Sequence, residues 1–138
     1  MQALPLRLNP GDDLRRAIEN ALVAQGAQAG FVLQGIGSLV DAPLRLAGAD
    51  GLTMVPGDSE ILTLAGSVAA GTSHLHASLA DAEGRVLGGH VPYGCRVRTT
   101  AEVLLALLPD WTFSREPDPA TGYAELKIAR SSPQRDSR

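Results

Sequence analysis

Beyond residue 26 the chain is a series of short strand-type segments separated by glycine-containing turns, and few folds accommodate that pattern. In the most regular segment, SEILTLAGSVA (59–69), two sets of residues alternate: Ile61, Thr63 and Ala65 in one set, and Leu62, Leu64 and Gly66 in the other. This is the pattern of a β-strand with two different faces. Further strands are predicted over FVLQGIGSL (31–39), on both sides of GADG in PLRLAGADGLTMV (43–55), and over TGYAELKIA (121–129). Because successive strands have short connections, a mostly antiparallel sheet is expected.

One amphipathic helix is predicted ahead of these strands, over about residues 12 to 25. Asp12 is the expected N-cap, and Gly26 is the expected stop signal at the C-terminal end. The apolar face repeats every four residues, at Leu14, Ile18 and Leu22.

Two other segments complete the prediction. ALPLRL (3–8) is typical of an edge strand, since Pro5 lacks the N–H that a central strand needs. RVRTTAEVLLALL (96–108) fits either a helix or a strand, and its β-branched start favours a strand. The expected fold class is therefore α+β: a mostly antiparallel β-sheet with one main amphipathic helix near the N-terminus. We expect one domain over residues 1–130, followed by a disordered polar tail over 131–138.

The charges of the chain do not favour nucleic acid as a partner. The formal net charge is −3, Lys127 is the one lysine, and the eleven arginines are scattered. Binding to phosphates requires clustered cations. DNA is therefore not supported by the charge, although folding or assembly can still create a local basic patch.

Several features predict a soluble, cytoplasmic protein without a membrane partner. Cys95 is the one cysteine, so no disulfide can form within the chain. MQALPLRL (1–8) lacks the basic and long apolar regions of a signal peptide. No apolar run approaches the roughly eighteen residues of a membrane span.

All three histidines of the chain lie in one short stretch, GTSHLHASLADAEGRVLGGH (71–90). Two residues apart on a strand, His74 and His76 point to the same face. Whether His90 joins them depends on the register of the predicted hairpin.

The turn of that hairpin favours a particular register. DAEG (81–84) has Asp at its first position and Gly at its fourth, which is typical of a three-residue loop closed by a left-handed glycine. Asp81 then faces Arg85, and counting back pairs His76 with His90 on one face.

His74 would lie one step along that face, opposite Pro92. Other registers stay open at this point. A two-residue loop would pair His90 with Leu75 and turn it to the other face, and Gly88–Gly89 could add a bulge. Those glycines would also let backbone or a ligand come close.

Three convergent imidazoles are a known ligand set for zinc or a neighbouring divalent metal. They leave a fourth position open for a water, a carboxylate or a substrate. The alternative is that the three are surface or hydrogen-bonded histidines that cluster by chance, because a His-x-His spacing is common.

Other side chains are candidates to support the histidines or to act in catalysis. Ser73 and Ser78 lie nearby, but no Gly-x-Ser-x-Gly turn marks either as a nucleophile. Cys95 is expected to be a buried thiol. The charged candidates are Glu102, Glu60, Asp81 and Arg96, although isolated charges on strands are usually solvated.

Several motifs together resemble the PPC (plants and prokaryotes conserved) domain family. The resemblance covers about residues 6 to 128, through PGDDL, GIGS, SEILTLAGSV, SHLHASLADAEGRVLGGHV and TTAEVLLA. It implies an α+β fold that assembles as a homotrimer. As in prokaryotic members, it also implies a divalent metal bound by the same three residues, His74, His76 and His90, with zinc the expected ion.

The resemblance implies an oligomeric regulatory or binding module, and DNA binding is part of the family's label. Plant members carry Arg-Gly-Arg-Pro segments that bind DNA, and this chain has none. The alternative is a metal-dependent enzyme acting on a small-molecule ligand at the open coordination position, with Glu102 as its first candidate for a base. Glu60 and Arg96 are further candidates to support the metal ligands.

Overall fold

Six of the eight strands in residues 1–131 form one large sheet. The computed structural model describes residues 1–131, so the tail predicted over 131–138 lies, apart from its first residue, outside the described residues. The elements in chain order are β1 (Gln2–Leu8), α1 (Leu14–Ala24), β2 (Gly30–Leu44), β3 (Thr53–Val68), β4 (His74–Asp81), β5 (Val86–His90), β6 (Arg96–Leu107), β7 (Trp111–Pro117) and β8 (Ala124–Arg130).

The strand order in the large sheet is β1-β6-β2-β3-β4-β5, and β7 pairs with β8 in a separate two-stranded sheet. Every strand pair is antiparallel. The predicted fold class, a mostly antiparallel sheet with one helix near the N-terminus, is confirmed. The segment 96–108, which fitted both a helix and a strand, is β6.

Helix α1 covers the core-facing side of the large sheet. Leu14, Ile18 and Leu22 are fully buried, in one core with the inward side chains of the strands. This is the apolar face that the four-residue repeat predicted.

The predicted helix ends need one correction. The N-cap is Asp13, not Asp12, because the Asp13 side chain accepts a hydrogen bond from the Arg16 N–H at 3.1 Å. Asp12 instead accepts from the Asn9 N–H, in the turn before the helix. Gly26 follows the last turn with a left-handed φ of 67°, as expected of a C-terminal stop.

The middle strands are longer than the sequence pattern indicated. The segment 43–55 does not form two separate short strands, because its first two residues end β2 and its last three begin β3. β2 is bulged where it pairs with β6. β7 was not predicted at all, and with β8 it forms a hairpin whose Phe113 contacts Phe31 of β2.

Adjacent strands β6, β2 and β3 carry exposed apolar side chains. They are Leu33, Ile36, Leu62 and Leu104, which are 37–51% exposed. In residues 1–131, no helix has the length and apolarity that a bilayer crossing requires.

Candidate metal centre

The three histidines converge on one small volume. Nε2 of His74 lies 3.0 Å from Nε2 of His76, and a ring nitrogen of His90 joins them so that the three nitrogens lie within 4.8 Å of one another. Two of the rings are exposed and the ring of His90 is half-buried. Three nitrogen donors therefore face one point that is accessible from outside.

The register predicted from the turn is confirmed. His76 pairs with His90, and the ladder continues without interruption to Ala80 and Val86. The Asp81 N–H donates to the Arg85 carbonyl at 2.9 Å, and Gly84 has the expected left-handed φ of 78°. The two-residue loop and the bulge at Gly88–Gly89 are therefore excluded.

The backbone of His90 is held on both sides. Beyond its pairing with His76, it exchanges two hydrogen bonds with Arg45, each 3.0 Å long. A Cβ at position 89 would lie 2.7 Å from the Arg45 carbonyl oxygen, so only glycine allows this approach. The strand ends at His90, and Pro92, the residue expected opposite His74, lies beyond it.

The environment of His74 and His90 favours the neutral form of these two imidazoles. Burial, followed by the neighbouring His74, lowers the pKa of His90 to about 4. Burial, followed by His76, also lowers the pKa of His74. Nδ1 of His90 is buried and has no hydrogen-bond partner among the described residues. Neutral imidazoles with available lone pairs are the form that binds a metal, so the donor set fits a divalent cation.

Glu102 and Glu60 are not brought to the histidines within one chain. Glu102 pairs with Arg7 and Ile36, and β2 and β3 separate its strand from β4. Three strand spacings amount to about 14 Å. Glu60 lies opposite Ala80, four residues along β4 from the nearer histidine.

The remaining polar candidates make contacts elsewhere. Arg96 donates to the Gly11 carbonyl at 3.2 Å. Asp81 accepts hydrogen bonds within its own turn, including two from Arg85. Ser73 is bonded to Ala69, and Ser78 is bonded to Thr63. None of these four donates to or accepts from a histidine.

Two charged residues that sequence reasoning missed lie beside the histidines. Arg115 of β7 and Glu125 of β8 line a cavity of about 380 Å³ that also includes His74 and His76. The Arg115 guanidinium donates to Ser67 Oγ at 3.0 Å. The alternation of aromatic and hydroxyl side chains at the start of WTFSREP (111–117) was the sequence signal that could have identified β7.

The amino-acid sequence of this chain is similar to part of a longer known protein. The chain is 49% identical over 128 residues to the bifunctional protein GlmU of a Synechococcus strain, covering 93% of this chain and 20% of that protein. The chain thus spans about a fifth of the length of that relative.

Two solved structures share the whole fold. A hypothetical protein from Salmonella cholerae-suis has 36% identity and a TM-score of 0.88, covering 94% of each chain. A metal-containing protein from Archaeoglobus fulgidus has 27% identity and a TM-score of 0.77, covering 92% of this chain and 94% of that one. The family model for the Plants and Prokaryotes Conserved (PCC) domain matches residues 1–109, a span that includes the helix, six strands and all three histidines. This chain therefore belongs to the Plants and Prokaryotes Conserved domain family.

Proposed function

We propose that this domain binds one divalent metal ion through His74, His76 and His90, and acts as an oligomeric binding or regulatory module. The observation that carries the proposal is the convergence of three imidazole nitrogens within 4.8 Å of one another. Zinc is the ion that we propose, because three histidines with an open fourth position are a common zinc ligand set. The similar protein from Archaeoglobus fulgidus is metal-containing, which supports metal binding by this fold.

Metal analysis of protein purified without an affinity tag tests this proposal. We expect about one metal ion per chain in the wild type and at least a tenfold lower content in the His76→Ala variant. Ser78→Ala is the matched control, since Ser78 lies two residues further along the same strand and bonds to Thr63 instead of a histidine. Equal metal content in the wild type and His76→Ala would refute the site.

A second candidate function is metal-dependent catalysis on a small molecule. The cavity of about 380 Å³ beside His74 and His76 favours it, because a substrate there would reach the open coordination position. A bound ion would act as a Lewis acid or lower the pKa of a water. Glu102 lies three strands away within the chain, whereas Glu125 lines the cavity, so Glu125 is the better candidate for a base.

Hydrolysis of a model ester separates the two candidates. If the metal-loaded wild type hydrolyses 4-nitrophenyl acetate and both His76→Ala and Glu125→Gln abolish that activity, the domain is an enzyme. Activity that is equal in all three proteins, or absent from all three, leaves the binding module as the function.

We further propose that the domain works as a cytoplasmic homotrimer, as the family resemblance implies. Exposed apolar side chains on three adjacent strands support assembly. The buried free thiol of Cys95 is compatible with a reducing compartment.

The charges of the chain do not favour DNA as a partner. An electrophoretic mobility shift of DNA by this protein at low salt would contradict that interpretation.

A further inference from the structure

We infer that the cavity between the histidines and the β7–β8 hairpin binds a small carboxylate, and that Arg115 recognises its charge. The inference rests on the proposed metal site, and it names the class of ligand that would take the open coordination position. The hairpin lies beyond residues 1–109, the part of the chain that matches the family model.

The cavity has the size and composition of a small-molecule site. Its volume of about 380 Å³ lies within the range of roughly 300–1,000 Å³ that is usual for ligand pockets. Phe31 and Leu126 give it apolar walls, and Arg115 and Glu125 give it charged ones. A ligand that fits these walls has a short carbon chain and a charged end.

Arg115 is held in place without being neutralised. Its guanidinium donates to Ser67 Oγ at 3.0 Å and, through Nε, to the Thr72 carbonyl at 3.4 Å. Both acceptors are uncharged, and among residues 1–131 no carboxylate forms an ion pair with this side chain. The two contacts use only two of the five N–H donors of the guanidinium. The positioned donors that remain fit a carboxylate.

The charges around the cavity favour an anion over a neutral ligand. Histidine ligands bring no negative charge, so they would leave the charge of a divalent ion uncompensated, and Arg115 adds a further positive charge. Glu125 offsets one positive charge only. Because the walls are partly apolar, an organic carboxylate should bind better than a strongly hydrated inorganic anion.

A titration of the cobalt(II)-loaded protein with propionate tests the inference, because the visible absorption of cobalt reports a change in its ligands. We expect propionate to change the spectrum in a saturable way. Propionamide, which has the same size and no charge, should leave the spectrum unchanged. In Arg115→Gln the propionate affinity should fall about 10- to 100-fold, with the cobalt content unchanged.

Two further variants keep the test decisive. Arg115→Lys keeps the positive charge but cannot form a bidentate pair of hydrogen bonds with a carboxylate, so it should bind propionate more weakly than the wild type. This variant still tests the inference if Arg115→Gln fails to fold. Arg7→Gln is the matched control, since Arg7 lies on β1, at the edge of the sheet opposite to β5. It should bind propionate as the wild type does.

The outcomes distinguish the inference from the function on which it rests. If the wild type binds no cobalt, the proposed metal site is wrong. If cobalt binds but propionate affinity is the same in the wild type and the Arg115 variants, the carboxylate site is wrong. Equal binding of propionamide or inorganic phosphate would also overturn it. If Glu125→Gln loses cobalt, Glu125 is a metal ligand, and the fourth coordination position of the metal is not open to a carboxylate ligand.

Discussion

The carboxylate of Glu19, on helix α1, accepts a hydrogen bond from the backbone N–H of Ser73, the residue directly before His74, at 3.1 Å. The same oxygen accepts from Arg15 Nε, and the other oxygen accepts from the Tyr93 hydroxyl at 2.7 Å. Glu19 is buried. This one side chain therefore ties the helix to the entry of β4 and to the loop that follows β5.

Removing the Glu19 carboxylate should lower both the stability of the fold and the affinity of the proposed metal site. Glu19→Ala leaves a buried N–H and the Arg15 charge without their partner, so we expect the free energy of unfolding to fall by about 2–4 kcal/mol. Metal affinity should fall as well, because Ser73 positions His74. Urea denaturation and a competitive zinc titration measure the two effects.

Glu83→Ala is the control for this prediction. Among residues 1–131, the Glu83 side chain contacts only Arg85, in an exposed ion pair, so its loss should change stability by less than about 0.5 kcal/mol. A Glu19→Ala protein as stable as the wild type would show that the buried contacts do not support the fold.

Gly66, which lies beside the histidine cluster, should not tolerate a side chain. It has a φ of 148°, and a Cβ there would overlap the carbonyl oxygen of His74. Gly66→Ala should therefore separate β3 from β4 and lower the free energy of unfolding by about 3 kcal/mol or more. Thermal unfolding measures this loss, and metal content should fall in parallel.

Gly51→Ala provides the comparison. A Cβ at Gly51 meets no atom within 4 Å, so this change should be neutral or slightly stabilising. If both alanine variants unfold at the same temperature as the wild type, the strand contact beside His74 is not as tight as the structure has it.

The histidine cluster was predictable because local rules determine it. His74 and His76 share a face through the two-residue period of a strand, and the DAEG turn sets the register that adds His90. Each step involves residues close together in the sequence, so no long-range pairing had to be known. The helix was predictable for the same reason, from a repeat within eleven residues.

The cavity beside the histidines was not predictable from local patterns. Arg115 and Glu125 reach it because a separate hairpin packs on the sheet through Phe113 and Phe31, two residues far apart in the chain. Glu102, which the sequence pattern offered as a supporting residue, lies three strands from β4 within one chain. That distance follows from the order of the strands in the sheet, which the alternation of residues along one strand does not reveal.

Cys95 should be unreactive in the folded protein. Its side chain is fully buried, and Sγ donates to the Pro43 carbonyl at 3.1 Å. Burial, followed by the charge of Asp13, raises the pKa of the thiol to about 12. A thiol-specific disulfide reagent at pH 8 should label no cysteine in the native protein and one per chain in guanidinium. Rapid labelling of the native protein would contradict the burial.

The raised pKa of Cys95 also makes stability depend on pH. Above about pH 8.5 the unfolded chain loses the thiol proton, while the folded chain keeps it up to about pH 12. Unfolding is therefore favoured as pH rises through this window, by up to about 1.4 kcal/mol per pH unit. Urea denaturation at pH 8, 9 and 10 should show this decline in the wild type. In Cys95→Ala the decline should be smaller, and equal slopes would refute the assignment.

The exposed apolar side chains on β2, β3 and β6 should form the contact between protomers. Light scattering coupled to gel filtration should give a mass of about 43 kDa, three times the chain mass of 14.4 kDa.

The variant Ile36→Asp tests whether these strands form the contact between protomers. Ile36 is 48% exposed, and an aspartate at this position would bury an unpaired charge in such a contact, at a cost of several kcal/mol. The variant should therefore run as a 14.4 kDa monomer with an unchanged circular dichroism spectrum. Val23→Asp, on the exposed side of helix α1, should stay trimeric. If Ile36→Asp is still a trimer, the contact between protomers does not involve these strands. If the wild type is a monomer, the proposed assembly is wrong.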